Sequence, residues 1–167
     1  DKEKRTASVG DKIDFALTPT VPRYPVEAIN KTFFIADTMD TGLTFDYSTL
    51  TVAISDKEIT TRTATDDNKV TEFVMDNRVI AKSVETTNGF KLAFQYENLV
   101  IDEKGEVYVP TISYSAIVNQ DATFGKVPNT NDVVLYYANQ SNQGHEYKNP
   151  NEDPQGDKDL SEKRDEK

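Results

Sequence analysis

A carboxylate at the end of a strongly apolar run is the group in this sequence best suited to acid–base chemistry. The stretch FFIADTMDTG, residues 33–42, places Asp37 directly after two phenylalanines, an isoleucine and an alanine. Removing a charged carboxylate from water is costly, so burial raises its pKa and favours the protonated acid. Asp37 is therefore a candidate proton-handling group. The alternative is a turn residue whose side chain accepts hydrogen bonds from the amides that follow it.

Other catalytic arrangements find little support in the sequence. Asp40, Thr41 and Gly42 have the Asp-Thr-Gly order of aspartic proteases, but such a site needs a partner copy and a flap. A turn with Gly42 at positive φ is the interpretation we favour. The chain has no Cys, which excludes a disulfide and a Cys nucleophile. Its single His argues against a His-ligated metal site and against a Ser-His-Asp triad. We predict no enzyme activity, no cofactor and no metal.

The elements that must position these residues are predicted to be short strands. Segments of alternating or continuous apolar character recur along the chain, separated by turn signals such as DTG, TNG, EKG and PNTN. Two segments have weak helical character, 26–30 and 71–79. The predicted strands are KIDFALT, TFFIAD, STLTVAIS (48–55), RVIAKSVETT (78–87), GFKLAFQY (89–96), EVYVPTISYSAIV (106–118, bent at Pro110) and DVVLYYAN (132–139). This pattern favours an all-β fold, an antiparallel β-sandwich with short helical turns at most.

Composition divides the chain into three parts. Residues 1–8 are predicted to be a lead-in or a first strand, and residues 9–140 the globular domain. Residues 141–167 are charged, contain Pro and Gly and lack a period, which predicts a flexible linker or tail.

The charge balance excludes two classes of partner. The formal net charge is −10, which repels the phosphate backbone of a nucleic acid. There is no polybasic stretch for a membrane surface and no apolar run of transmembrane length. We therefore predict neither nucleic-acid nor membrane binding.

Four segments, in order and in register, carry a resemblance to a known family. They are SVGDKIDFALTPTVP, TFFIADTMDTGLTF, VYVPTISYSAIVN and VPNTNDVVLYYAN. Together they resemble the D2-type domain of Gram-positive, sortase-assembled backbone pilins over about residues 8–140. The resemblance implies an immunoglobulin-like β-sandwich, related to collagen-adhesin modules, that commonly carries an autocatalytic Lys–Asn isopeptide bond beside an acidic residue.

The resemblance also implies roles for individual residues. Asp37 matches the acid that promotes the isopeptide bond. Asn131 matches the family's N-x-[AV] position, with Asn139 as the fallback and Asn129 as a further candidate. The family's lysine precedes the VGD motif, where Lys4 or Lys2 is the candidate. Lys12 alternates outward and is discounted.

The function implied is a structural module of a cell-surface pilus subunit, located outside the cell on a wall-anchored pilus. Its partners would be neighbouring pilin subunits and sortase. The alternative is an adhesive domain that binds a host protein or glycan through its loops, with Tyr114, Tyr136 and Tyr137 as contact area.

Overall fold

The computed structural model describes residues 8–123 and 129–166, and nearly all regular structure in them is β. In these residues, ten strands and one short 3-10 helix (Tyr96–Asn98) follow one another. The strands are β1 (Lys12–Leu17), β2 (Phe33–Met39), β3 (Leu43–Ala53), β4 (Thr60–Thr63), β5 (Thr71–Met75), β6 (Arg78–Thr86), β7 (Gly89–Phe94), β8 (Thr111–Val118), β9 (Asn131–Ala138) and β10 (Leu160–Glu166).

The strands form two sheets that pack face to face as an immunoglobulin-like β-sandwich, as the sequence predicts. The small sheet has the order β1-β8-β3, and the large sheet has the order β10-β9-β2-β7-β6-β5-β4. Every paired strand is antiparallel to its neighbour. The main apolar core lies between the sheets and includes Phe33, Ile35, Phe90, Leu92 and Ile112, all nearly inaccessible to water.

Strand β2 is central in the large sheet, between β7 and β9. Its odd-numbered residues, such as Phe33 and Ile35, belong to the core between the sheets. Phe34 instead belongs to a second apolar cluster on the outer face. A strand buried on both faces has a nearly continuous apolar sequence, which explains the run that precedes Asp37.

The helical expectation for residues 71–79 is wrong. These residues form the end of β5, a two-residue turn and the start of β6, with Met75 opposite Arg78. Asp76 and Asn77 both have positive φ, 52° and 62°, as the tight turn of a β-hairpin requires. Residues 26–30 contain a turn and no helix. Pro110 directly precedes β8, so the predicted strand 106–118 is interrupted there.

The prediction of a flexible segment after residue 140 is also wrong for its described part. Residues Leu160–Glu166 pair with β9 as the edge strand of the large sheet. The connecting segment, residues 139–159, crosses the outer face of this sheet, where Tyr147 packs against the cluster that contains Phe34 and Tyr136. The sequence pattern missed this because β10 is held by backbone hydrogen bonds, which its charged side chains do not reveal.

Candidate functional site

Asp37 lies in the core of the sandwich. It is on the inner face of β2, opposite Phe90 of β7 and Val133 of β9, and its side chain is 1% exposed. The apolar run that precedes it therefore carries the carboxyl group into the interior. A solvated turn residue, the alternative interpretation of the sequence, would lie at the surface.

Asn131 is the first residue of β9 and is fully buried beside Asp37. Its side-chain Nδ2 donates a hydrogen bond to Asp37 Oδ2 at 2.8 Å. The two residues are 94 positions apart in the chain and meet because β2 and β9 are neighbours in the large sheet. The structure thus brings together the carboxyl and the carboxamide that the sequence singles out.

Tyr114 completes a triangle of hydrogen bonds with these two residues. Its hydroxyl donates to Asp37 Oδ2 at 2.6 Å and accepts from Asn131 Nδ2 at 2.8 Å. It comes from β8 in the small sheet, so the triangle bridges the two sheets. Sequence reasoning missed this role, although the alternation of Ile112, Tyr114 and Ala116 in β8 already placed the tyrosine on an apolar face.

The local electrostatics shift Asp37 towards its protonated form. Burial raises its pKa from the ordinary value to about 6, while hydrogen bonds from Tyr114 and Asn131 oppose the rise and the nearby charge of Asp132 adds to it. Two buried oxygens at the site, Asp37 Oδ1 and Asn131 Oδ1, have no hydrogen-bond partner among the described residues. Buried acceptors of this kind are costly unless a donor meets them.

The turn that follows β2 is held by Asn88, another residue that sequence reasoning missed. Its Nδ2 donates to the carbonyls of Met39, Asp40 and Leu43 at 3.1, 3.0 and 2.8 Å. Its Oδ1 accepts from the amide of Phe45 at 3.1 Å. This clamp fixes the end of β2 relative to β3, and with it the position of the acid.

The next residue, Gly89, allows β7 to pass close to Asp37. A Cβ placed on Gly89 would lie 1.9 Å from the carbonyl oxygen of Asp37, far inside contact distance. Glycine is therefore required by the close approach of two backbones. Together, Asn88 and Gly89 fix the backbone around the acid.

The remaining predicted residues lie elsewhere. Lys2 and Lys4 are outside the described residues. Lys12 points outward near Asp14, with 62% of its side chain exposed. Asn139 is exposed at the far end of β9 and binds the carbonyl of Lys158 at 3.0 Å, so this fallback does not contact Asp37.

Asp40, the residue of the protease-like motif, has a structural role. Its Oδ2 accepts hydrogen bonds from the amide and hydroxyl of Thr130 at 2.9 and 3.0 Å. It thereby fastens the turn after β2 to the start of β9. The expected positive φ at Gly42 is wrong. Glycine fits this position because a Cβ on it would meet the side chain of Asn129 at 2.2 Å.

The three tyrosines proposed as adhesive contact area are poorly placed for that role. Tyr114 is 2% exposed and Tyr136 is 4% exposed, and only Tyr137 is partly accessible. Within the described ranges, no group of three or more His, Asp or Glu side chains is arranged to hold a metal ion. No helix in the same residues has the length and apolar character needed to cross a membrane.

Comparison with known proteins identifies homologues along the entire chain. No family model matches it. The trypsin-resistant surface T6 protein of Streptococcus pyogenes serotype M6 is 35% identical over all 167 residues, which span 29% of that protein. The solved structure of the T6 backbone pilin of serotype M6 S. pyogenes, a modular three-domain protein, superposes on the whole chain with a TM-score of 0.83 and 34% identity, over 32% of its own length. The chain thus spans about a third of the relatives that it matches.

Two more distant structures share the fold. The pilus backbone protein RrgB of Streptococcus pneumoniae has a TM-score of 0.53 and 24% identity over 80% of this chain and 26% of its own. The collagen-binding subdomain of the Enterococcus faecalis surface protein ACE has a TM-score of 0.50 and 14% identity over 96% of this chain and 88% of its own. At these identities the likeness concerns the fold alone.

These findings confirm the resemblance to backbone pilins and the predicted location on a Gram-positive surface pilus. The homologues are structural subunits, in agreement with the prediction of a protein without turnover catalysis. The chain is therefore a pilin domain of the Gram-positive pilus type, homologous over its whole length to one part of the T6 backbone pilin.

Proposed function

We propose that this domain is a structural module of a pilus subunit and that an intramolecular isopeptide bond between Asn131 and Lys4 or Lys2 seals it. The observation that carries the proposal is the direct contact between Asp37 and Asn131 in the buried core. A buried carboxyl group in contact with a carboxamide is the arrangement that amide exchange requires. The acid can carry a proton from the attacking amine to the departing ammonia.

The two unpartnered oxygens support an amine at this site. Asp37 Oδ1 and Asn131 Oδ1 are both acceptors, and a lysine Nζ is a donor that approaches the carboxamide carbon when it binds between them. Burial also lowers the pKa of an amine, which supplies the neutral nucleophile.

The path of the chain is compatible with a lysine from the N-terminal segment. The amide of Gly10 donates to the carbonyl of Val118 at 2.8 Å, so β1 begins at the same end of the sandwich as Asp37. Val118 lies four residues beyond Tyr114 in β8, about 13 Å along a strand. The four residues from Lys4 to Ser8 can span about the same distance, and a lysine side chain adds further reach.

The bond would stabilise the fold under load. A cross-link that closes a loop of more than a hundred residues restricts the unfolded chain and contributes roughly 4–5 kcal/mol in the entropic model. In a pilus, the domain would transmit force between neighbouring pilin subunits. Assembly by sortase is part of the same proposal and rests on the family resemblance.

Intact-mass spectrometry of the purified chain tests the proposal. Each bond formed releases one ammonia, so wild type should be lighter than its sequence mass by about 17 Da. Asp37→Ala and Asn131→Ala should keep the full mass and still fold. Lys4→Met and Lys2→Met, made separately, identify the lysine, and Lys12→Met is the matched control that should still react.

A wild-type chain of full mass, with the same result after extension by about ten residues at the N-terminus, would contradict the cross-link. Loss of ammonia in Asn131→Ala would instead show that another amide reacts.

A further inference from the structure

We propose that Tyr114 is a positioning residue for the bond, holding the carboxamide of Asn131 and the carboxyl of Asp37 in one reactive orientation. This inference rests on the proposed isopeptide function and assigns to the site a third member, from the opposite sheet. The expected consequence is that the tyrosine hydroxyl sets both the rate of bond formation and its dependence on pH.

The hydroxyl of Tyr114 lies where it can hydrogen-bond to both Asp37 and Asn131. It contacts Asp37 Oδ2 at 2.6 Å and Asn131 Nδ2 at 2.8 Å, while those two atoms are 2.8 Å apart. All three side chains are at most 2% exposed, so water does not compete for these hydrogen bonds. A closed triangle of this kind permits only a narrow range of side-chain orientations.

The ring of Tyr114 is itself immobilised by aromatic neighbours. It stacks on Phe15 with ring centroids 5.4 Å apart and meets Phe90 and Phe45 edge to face at 5.0 and 6.0 Å. These contacts hold the hydroxyl in place without its hydrogen bonds. Removing the oxygen alone should therefore leave the packing of the core intact.

The orientation that results is the one in which ammonia can leave. Asn131 Nδ2 lies within hydrogen-bond distance of both Asp37 Oδ2 and the Tyr114 hydroxyl, so its Oδ1 points away from them. The lysine Nζ forms a bond to the carboxamide carbon, and the bond from that carbon to Nδ2 breaks. One proton passes from Nζ through the Asp37 carboxyl to Nδ2, which departs as neutral ammonia.

The same hydroxyl tunes the acid that carries this proton. The ionisable or polar groups that face Asp37 among the described residues are Tyr114 from β8 and Asn131 and Asp132 from β9. The hydrogen bond from Tyr114 favours the carboxylate and so lowers the pKa of Asp37, against the effect of burial. Without it, Asp37 should remain protonated to higher pH.

Tyr114→Phe in the full chain tests this role. Unreacted wild type and variant are isolated in denaturant and refolded by dilution into buffers from about pH 4 to pH 9, with intact mass followed against time. We expect the variant to fold and to lose ammonia on the order of 10–100 times more slowly. The high-pH limb of its rate profile should lie at higher pH than that of wild type.

Tyr47→Phe is the matched control. Its hydroxyl also bridges the sheets, through Ser83 of β6 at 2.5 Å and Thr71 of β5 at 3.0 Å, yet it does not contact Asp37. The Tyr47→Phe substitution should lower the stability of the fold without moving the pH profile of the rate of ammonia loss. A second variant carries difluorotyrosine at position 114, which keeps the ring and makes the hydroxyl a stronger donor, so the high-pH limb should move to lower pH.

The outcomes separate the two proposals. If wild type releases ammonia and both changes at position 114 leave rate and profile unchanged, the positioning role is overturned and the isopeptide bond stands. If wild type never releases ammonia, the bond and the role fall together. If Tyr114→Phe does not fold, the fluorinated variant decides alone, and an unmoved profile overturns the role.

Discussion

A carboxyl group that is removed from water must hold its proton or find donors, and Asp37 does some of both. Two hydrogen bonds to Oδ2 stabilise the charged form, whereas burial opposes it more strongly and raises the pKa to about 6. The group is therefore close to its own titration under ordinary conditions. A proton carrier works best when its pKa lies near the pH at which it operates.

This raised pKa of Asp37 predicts that the stability of an uncross-linked chain depends on pH. The double variant Lys2→Met/Lys4→Met provides such a chain. In unfolded chain Asp titrates near its ordinary value, so between about pH 4 and pH 6 only the folded state holds the proton. Unfolding then releases a proton, and the free energy of unfolding falls as pH rises through this window, by about 2–3 kcal/mol in total. Urea denaturation at several pH values measures it.

Asp37→Asn in the same background is the control, because it removes the titrating group and nearly keeps its shape. The difference in unfolding free energy between the two chains should change across this window. Two parallel curves would show that Asp37 titrates normally in the folded protein.

For individual residues, the sequence predicts the buried acid Asp37 but not every member of the site. The four apolar residues before Asp37 require a buried strand, and a carboxylate on it is conspicuous. Tyr114 is not, because tyrosine is common in strands and its partners are more than a dozen residues away. Asn88 is not evident from the sequence for the same reason, since its three carbonyl partners belong to a turn over 40 residues earlier.

Among the elements, β10 and the connecting segment 139–159 extend the large sheet and cover its outer face. Tyr147 packs edge to face on Phe34 with ring centroids 6.4 Å apart, and its hydroxyl donates to Asp157 at 2.6 Å. Its backbone amide donates to Thr32 Oγ1 at 2.9 Å. The segment is thus fastened at both its ring and its backbone to the sheet below.

Tyr147→Ala should therefore destabilise the domain by about 1–3 kcal/mol, because it uncovers part of the apolar cluster on the outer face. Tyr147→Phe, which loses only the bond to Asp157, should cost clearly less. Thermal or urea denaturation measures both. A flexible segment would predict no change in either variant, and that result would contradict the observed packing.

Which elements the sequence reveals depends on what holds them. Strands β2, β6, β7 and β9 are evident because apolar side chains face the core. The β5–β6 hairpin is harder to predict, because the nine residues 71–79 are too few to distinguish the apolar period of a helix from that of a strand. The turn residues in VMDNRV are the better signal. Strand β10 has few apolar side chains, as edge strands often do, and only its backbone pairing defines it.

Over the whole molecule, the described chain starts and finishes at the same end of the sandwich. Lys12 lies opposite Ile117 near the end of β8, and Glu166 lies opposite Asp132 near the start of β9. Among the described strands, β1 pairs with β8 alone and β10 pairs with β9 alone. Tension applied at this end would separate each edge strand from its only partner, one hydrogen bond at a time.

The proposed bond changes this response to force, because it joins the N-terminal segment directly to β9. In single-molecule pulling, the cross-linked chain should extend only through the residues after Asn131, roughly 120 Å. Asn131→Ala should extend through nearly its whole length, roughly 550 Å. A wild-type chain that extends as far as the variant would contradict the bond.

The triangle of Asp37, Tyr114 and Asn131 has a consequence for timing. Its members come from three strands, in both sheets, and the acid and amide are 94 positions apart. Ammonia can therefore be lost only after the two sheets have docked with correct register. Because a slip of one residue would turn either Asp37 or Asn131 away from the core, a misassembled chain would remain open and free to unfold and try again. The irreversible bond would therefore form only in chains whose two sheets have already docked in the native register.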